Sequence, residues 1–259
     1  MTLPAPAALN AWPQPFANAS HAPGNVAGPV NFAQRWQVGI GAPGGYRQPL
    51  MASPLVAGSS IFVMDANAHV RALSLTDGAT IWHADTRPKH VTTLNIGGGI
   101  AYDSGRIYAS TGYGEALALD AESGKILWRQ KLEFAARSAP LVAAGLVAIV
   151  TQNDQLLTFE AKSGTPSWRF SGVVGTPPQA AAGVTGAPAF ADGNIVAGFS
   201  TGLLAAVDAS SGTPVWEQSL AAGFGQASTL DMSDIVATPV IAGGVVYAVS
   251  YTHLRAHET

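Results

Sequence analysis

The stretch ALDAESGKILW, residues 118–128, decides the fold, because three other stretches align with it without a gap. They are ALSLTDGATIW (72–82), TFEAKSGTPSW (158–168) and AVDASSGTPVW (206–216). Each ends in tryptophan with glycine four residues earlier: Gly78 and Trp82, Gly124 and Trp128, Gly164 and Trp168, Gly212 and Trp216. Each opens on a small residue, namely Ala72, Ala118, Thr158 or Ala206. Successive tryptophans lie 46, 40 and 48 residues apart, and Trp36 in AQRWQV stands another 46 residues upstream of Trp82.

A second marker sits 28 residues before three of these tryptophans: Pro54, Pro140 and Pro188. In the remaining unit Ile100 holds that place, preceded by three glycines. Between the markers, short β-rich runs alternate with turn residues, as in SPLVAGSSIFVMDANAHVRALSLTDGATIW (53–82), which gives four strands per unit. Glycine after Asp or Ser suits a tight hairpin that needs positive φ. Proline suits the first residue of an inner strand, where a missing N–H costs little. Four strands repeated every 40–48 residues predict an all-β fold, a propeller of four-stranded antiparallel blades. A blade cannot bury both faces alone, so the tryptophans are expected to be packing residues between neighbours. The small residue ten positions earlier leaves room for the ring.

Composition agrees. Charged residues make up 11% of the 259, while the chain has 29 glycines and 17 prolines, a mix that suits short strands and tight turns better than charged helices. The net charge of −3 offers no basic stripe for phosphates, so nucleic acid is not an expected partner. No apolar run reaches the roughly 18–20 residues of a membrane-spanning helix. Cysteine is absent, which excludes disulfides, thiolate zinc sites and cysteine nucleophiles. Residues 1–10, MTLPAPAALN, lack the charged and apolar regions of a signal peptide; either the chain is cytosolic or its true start lies upstream.

The ends of the repeat set the expected boundaries. Residues 1–35 are rich in Ala, Pro and Asn and form no blade, whereas FAQRWQV (32–38) reads as an outermost strand that closes a ring. Residues 36–249 then hold that closing strand, four blades and half of a fifth, which begins at Pro239 in ATPVIAGGVVYAV. The last residues, VSYTHLRAHET (249–259), show neither turn residues nor strand alternation, and they match one translated frame of a transposase adapter used in shotgun sequencing. Residues 250–259 are therefore expected to be a non-native tail. His253, His257 and Glu258, spaced like metal ligands on a helix, are expected to form no site.

The units resemble the quinoprotein-type (PQQ-like) repeat, whose docking motif runs Ala-x-Asp-x-x-x-Gly-x-x-x-Trp. Residues 118–128 and 206–216 match it fully, while Ser74, Thr158 and Glu160 depart from it. Longer stretches resemble the family of the outer-membrane assembly factor BamB: WPQPFANASHAPGN (12–25), GGGIAYDSGRIYASTGYGEALALDAESGKILW (97–128), RSAPLVAAG (137–145), QNDQLLTFEAKSG (152–164) and LDMSDIVATPVIAGGVVYAVSY (230–251). The resemblance implies an eight-bladed, periplasmic lipoprotein at the inner face of the outer membrane, lipid-anchored at an N-terminus that these residues do not include. It implies a non-catalytic scaffold that binds the periplasmic domains of the insertase BamA and unfolded outer-membrane proteins. Eight blades at this period need roughly 370 residues. In the family, acidic residues before the TPV strand touch BamA. Asp234 matches the first of them and is the expected partner-binding residue, whereas Val236 stands where a second Asp is usual. The stretch AAAGVT (180–185) lacks the family's leucine/arginine cluster.

The alternative is a PQQ-dependent quinoprotein dehydrogenase or another PQQ-repeat binding protein. Such enzymes share the docking motif but need a Ca²⁺ site, a catalytic Asp and, in many, adjacent cysteines. Asp65, Asp103 and Asp154 fall in turns where solvated roles are expected, and His21, His69, His83 and His90 are scattered without metal spacing. No catalytic, metal-ligating or cofactor-binding residue is therefore assigned, and no cofactor is expected.

Overall fold

The computed structural model describes residues 3–29, 31, 33–136, 138–173, 186–220 and 234–250, with the backbone of 254–258. The repeat folds into four-stranded antiparallel sheets. Blade 1 comprises β1 (Leu55–Ala57), β2 (Ser60–Met64), β3 (His69–Ser74) and β4 (Thr80–Asp85). Blade 2 comprises β5 (Gly98–Asp103), β6 (Arg106–Thr111), β7 (Glu115–Asp120) and β8 (Ile126–Lys131). Blade 3 comprises β9 (Leu141–Ala143), β10 (Leu146–Val150), β11 (Gln155–Glu160) and β12 (Pro166–Ser171). Blade 4 comprises β13 (Ala189–Ala191), β14 (Asn194–Gly198), β15 (Leu203–Asp208) and β16 (Pro214–Ser219). A fifth sheet joins β17 (Val240–Ala242), β18 (Val245–Val249) and β19 (Leu254–Glu258). First strands of successive blades touch one another, so β1, β5, β9, β13 and β17 converge on a common axis.

The proline marker sets the length of each inner strand. Pro54, Pro140, Pro188 and Pro239 each stand one residue before a three-residue strand, because proline has no N–H to extend the ladder. Where Ile100 replaces proline, β5 starts three residues earlier relative to the marker, at Gly98.

The cores lie between blades, not within them. Leu55, Phe62 and Val70 of blade 1 pack with Ile100, Ile107 and Leu117 of blade 2. Ala101, Tyr108 and Ala118 of blade 2 pack with Val147, Ile149 and Phe159 of blade 3. Residues of β10 alternate between two cores: Val147 and Ile149 face blade 2, whereas Leu146, Ala148 and Val150 face blade 4. That is the period-two signature of a strand buried on both faces.

Each tryptophan docks on the glycine of the following unit. The Trp82 indole N–H donates to the Ala121 carbonyl at 2.9 Å, Trp128 to Ala161 at 3.0 Å and Trp168 to Ala209 at 2.8 Å. Trp36 donates to Leu75 at 3.3 Å. In every case the acceptor lies three residues before the docking glycine. Those glycines, Gly78, Gly124, Gly164 and Gly212, have φ between +71° and +75°. A Cβ on Gly164 would stand 2.6 Å from the Trp128 ring. Glycine is thus required twice, for its backbone region and for the ring that lies against it. The Gly N–H donates to the carbonyl four residues earlier, on Ser74, Asp120, Glu160 or Asp208, at 2.8–2.9 Å. Because that bond is made by backbone, the departures at Ser74 and Glu160 leave the turn intact. Thr158 departs harmlessly too: its hydroxyl accepts the Trp168 N–H at 3.1 Å and donates to the Trp168 carbonyl at 2.7 Å, across a bulge. Trp216 packs on the core shared by blade 4 and the fifth sheet.

Two expectations are corrected. The residues around Trp36 form no strand, since ring docking needs one carbonyl and one glycine but a strand needs a whole ladder beside it. Leu254–Glu258, expected to show no strand, pairs with β18 from Val249↔Leu254 to Val245↔Glu258. The exposed edge of β18 presents a row of backbone groups that pair irrespective of side-chain pattern. His253 and the side chains of His257 and Glu258 lie outside the described residues.

Polar latches tie the blades at the β2–β3-type hairpins. Asp154, in the left-handed region at φ +58°, accepts the Ser200 N–H at 2.9 Å and the Ser200 hydroxyl, joining blade 3 to blade 4. The Asn95 side chain accepts the Gly112 N–H at 2.7 Å and donates to the Ala66 carbonyl at 3.2 Å, joining blade 1 to blade 2.

Three substitutions test these contacts. Trp128→Ala is expected to cost about 3–5 kcal/mol, read as a lowered unfolding midpoint. Gly164→Ala is expected to be severe in the wild-type background but to cost only about 1–2 kcal/mol, the backbone part alone, once Trp128 is alanine. Equal costs in both backgrounds would contradict the docking geometry. Asp154→Ala strands two buried donors on Ser200 and is expected to cost about 1–3 kcal/mol, at roughly 2–4 °C of midpoint per kcal/mol for a chain of this size. An unchanged melt would remove the latch.

Candidate functional site

Where the inner strands converge, the N-terminal segment crosses the axis. Residues 12–21, WPQPFANASH, form no blade, yet they touch the inner strand of every blade at one equivalent position, two residues past the marker. Trp12 exchanges backbone bonds with Val56 of β1, at 2.7 and 3.0 Å. Tyr102 of β5 donates its N–H to the Pro13 carbonyl at 2.7 Å. The Gln14 amide stands in for a peptide unit: its oxygen accepts the Val142 N–H at 3.1 Å and its NH₂ donates to the Val142 carbonyl at 2.8 Å. Phe190 of β13 donates to Ala19 at 2.7 Å and Ile241 of β17 to Ser20 at 2.9 Å.

The end of this segment is fastened by His21. Its Nδ1 lies 2.8 Å from the Pro239 carbonyl, and burial holds its pKa below the ordinary histidine value, with the carbonyl opposing. The imidazole therefore sits neutral and donates through Nδ1. His21 is thus a buried histidine within an irregular segment, 3% exposed. Phe16, Ala17 and His21 have φ of 56°, 77° and 58°, a region that costs non-glycine residues about 1–3 kcal/mol each. Burial of Ala17 and His21 holds the segment there. Pro15 and Phe16 line an axial cavity of about 210 Å³ with Met51, Gly98, Ser138 and Thr238.

The outer rim is built differently. The fourth strands β4, β8, β12 and β16 are the free edges of their sheets, and Ile81, Leu127 and Val215 on them are 52%, 43% and 56% exposed. These residues precede the docking tryptophans, so each indole turned inward places its neighbour outward.

The structure places Asp234 in the interior, at 0% exposure, so it does not present a charge to solvent as expected. The cause is its neighbour: Ile235, also fully buried, packs against Gly198 and donates its N–H to the Phe199 carbonyl at 3.2 Å, drawing the segment into the boundary between blades. Among the described residues of this loop, 234–239, Val236 is the exposed one, at 36%. Residues 180–185, where the family's leucine/arginine cluster was sought, lie outside the described residues.

Of the three turn acids, Asp103 is exposed but Asp65 and Asp154 are buried, at 2% and 5%, against the expectation of solvated roles. Burial works to raise the Asp65 pKa, but the N–H groups of Ala42 and His69 and the His69 ring outweigh it, and the pKa is lowered. The His69 Nδ1 lies 3.0 Å from Asp65, so this histidine too is part of a structural network. Glu115, paired with Arg129 on the neighbouring strand, has its pKa raised by burial despite that partner. None of these groups converges: among the described residues no three acids or histidines could hold a metal ion. The named lining of the axial cavity carries no acid. The described residues at the axis do not fit a Ca²⁺–quinone centre.

Comparison with known proteins follows the fold. The family model described as outer membrane protein assembly factor BamB matches residues 66–256. An outer membrane protein assembly factor BamB from Yersinia pestis is 30% identical over 224 residues, covering 83% of this chain and 55% of its own length. This chain spans about half the length of the curated relatives it matches. The crystal structure of BamB from Moraxella catarrhalis superposes with a TM-score of 0.67 at 19% identity, over 88% of this chain and 62% of that one. The quinohemoprotein alcohol dehydrogenase of Comamonas testosteroni shares the propeller at a TM-score of 0.65 and 16% identity, over 96% of this chain and 49% of that one. Both superpositions bear on the fold alone, whereas the family model follows the sequence over most of the repeat. The chain belongs to the family of the outer membrane protein assembly factor BamB.

Proposed function

We propose that this chain is part of a non-catalytic scaffold of the outer-membrane β-barrel assembly machinery, working on the periplasmic side of the outer membrane. Its partners in this reading are the periplasmic domains of BamA and extended segments of unfolded barrel proteins. A lipid anchor, as the family carries, would hold it at the membrane. The observation that carries the proposal is the open strand edge repeated around the rim at β4, β8, β12 and β16. An unpaired edge adds an extended segment through main-chain bonds, and the exposed Ile81, Leu127 and Val215 supply apolar contacts to alternate residues of that segment. Barrel precursors are chains of such strands, so a rigid rim of edges suits holding them. Family membership supports the setting.

The loop ahead of β17 is the proposed contact to BamA. Asp234 shapes it from inside, while Val236 occupies the surface position where the family resemblance implies an acid.

Replacing Ile81 and Val215 together by lysine is expected to weaken capture of a labelled barrel-strand peptide by about tenfold, roughly 1.4 kcal/mol; undiminished capture sinks the edge mechanism. Val236→Asp is expected to strengthen retention on immobilised BamA periplasmic domains. If neither Val236→Asp nor Asp234→Ala changes retention, the loop is not in the interface.

A further inference from the structure

The axial contacts have a regularity that ordinary loop packing lacks. Five N–H groups, on Val56, Tyr102, Val142, Phe190 and Ile241, occupy one equivalent position and all donate toward the axis. Their acceptors are five oxygens met in chain order along one segment: the carbonyls of Trp12 and Pro13, the Gln14 side chain and, after the turn at Pro15–Ala17, the carbonyls of Ala19 and Ser20. The ring therefore offers a converging set of donors, and the segment meets each with an acceptor while returning donors to the Val56 and Val142 carbonyls from Trp12 and Gln14. Proline at 13 and 15 costs nothing in such an arrangement, because no N–H is required of it. The segment also keeps Phe16, Ala17 and His21 in a backbone region they would not hold alone. This is the relation of a ligand to its site.

We propose that these five inner-strand positions form a peptide-binding site on the propeller axis, specific for a proline-containing segment bent at a 3-10 turn over Pro15–Ala17, and that Trp12–His21 is its intramolecular ligand. The occupant is this chain's own N-terminal segment, and it can dock as a separate peptide. While it is in place the axis is closed to other chains, so peptide capture is confined to the outer rim. The inference stands on the axial geometry and does not depend on the function proposed above.

The test uses the full chain with a site-specific protease sequence inserted between Ala27 and Gly28. After cleavage, the N-terminal fragment is expected to co-elute with the propeller on size exclusion. A fluorescein-labelled peptide of residues 10–22 is expected to displace it, and the intact chain to take up no label. The same peptide carrying Gln14→Ala loses both side-chain bonds to Val142 and is expected to bind about tenfold more weakly. Equal labelling of intact and cleaved chains overturns the proposal, as does a fragment that leaves on cleavage while the peptide fails to bind. Equal affinity of the two peptides removes the Val142 position from the site. Should the cleaved propeller unfold on losing its fragment, added peptide must restore its melting transition; no restoration overturns the proposal as well.

Discussion

An indole ring lying flat on a glycine of the next blade is the contact on which this molecule depends. A four-stranded sheet of about twenty residues has two apolar faces and no core of its own, so it is stable only against neighbours. The hydrophobic clusters make this explicit, since each draws residues from two adjacent sheets. Hydrophobic burial alone is non-directional and would let the sheets slide. The indole N–H fixes their register through a single carbonyl, and the positive-φ glycine admits the ring at a distance that any Cβ would forbid.

The inside and outside of the ring solve the edge problem in opposite ways. Four of the five inner strands are cut short by proline, and each of the five has one N–H covered by the N-terminal segment. Outer strands stay six residues long and uncovered, with apolar side chains facing solvent. An unpaired edge is a liability unless it has a use. Long open edges on the rim and sealed short ones at the axis therefore point binding outward.

Much of the fold was legible because its signals are local. Trp128 and Gly124 belong to one hairpin, and turn chemistry and spacing reveal them without any knowledge of neighbours. Their contact partners were less legible, for each ring meets the glycine of the following unit, 36–44 residues away in sequence, and not the one in its own hairpin. Asp154 and Asp65 occupy turn positions where acids are usually solvated; only the arrival of Ser200 from the next blade, or Ala42 from the preceding segment, buries them. Asp234 went the same way, drawn inside by the side chain next to it. At the axis, WPQPFANASH shows no periodicity because its partners are spaced by the blades and not by its own residues, and its most telling contact is made by a side-chain amide posing as backbone.

The sequence by itself determined the repeat: four strands per unit, proline before most of the inner ones, a glycine turn and an indole at the end of each, and the family these imply. Only the tertiary structure decided which polar groups face water and what lies on the axis. The physical reason is that strand and turn formation are settled by residues a few positions apart, whereas burial and donor–acceptor matching depend on which distant blades the packing brings together.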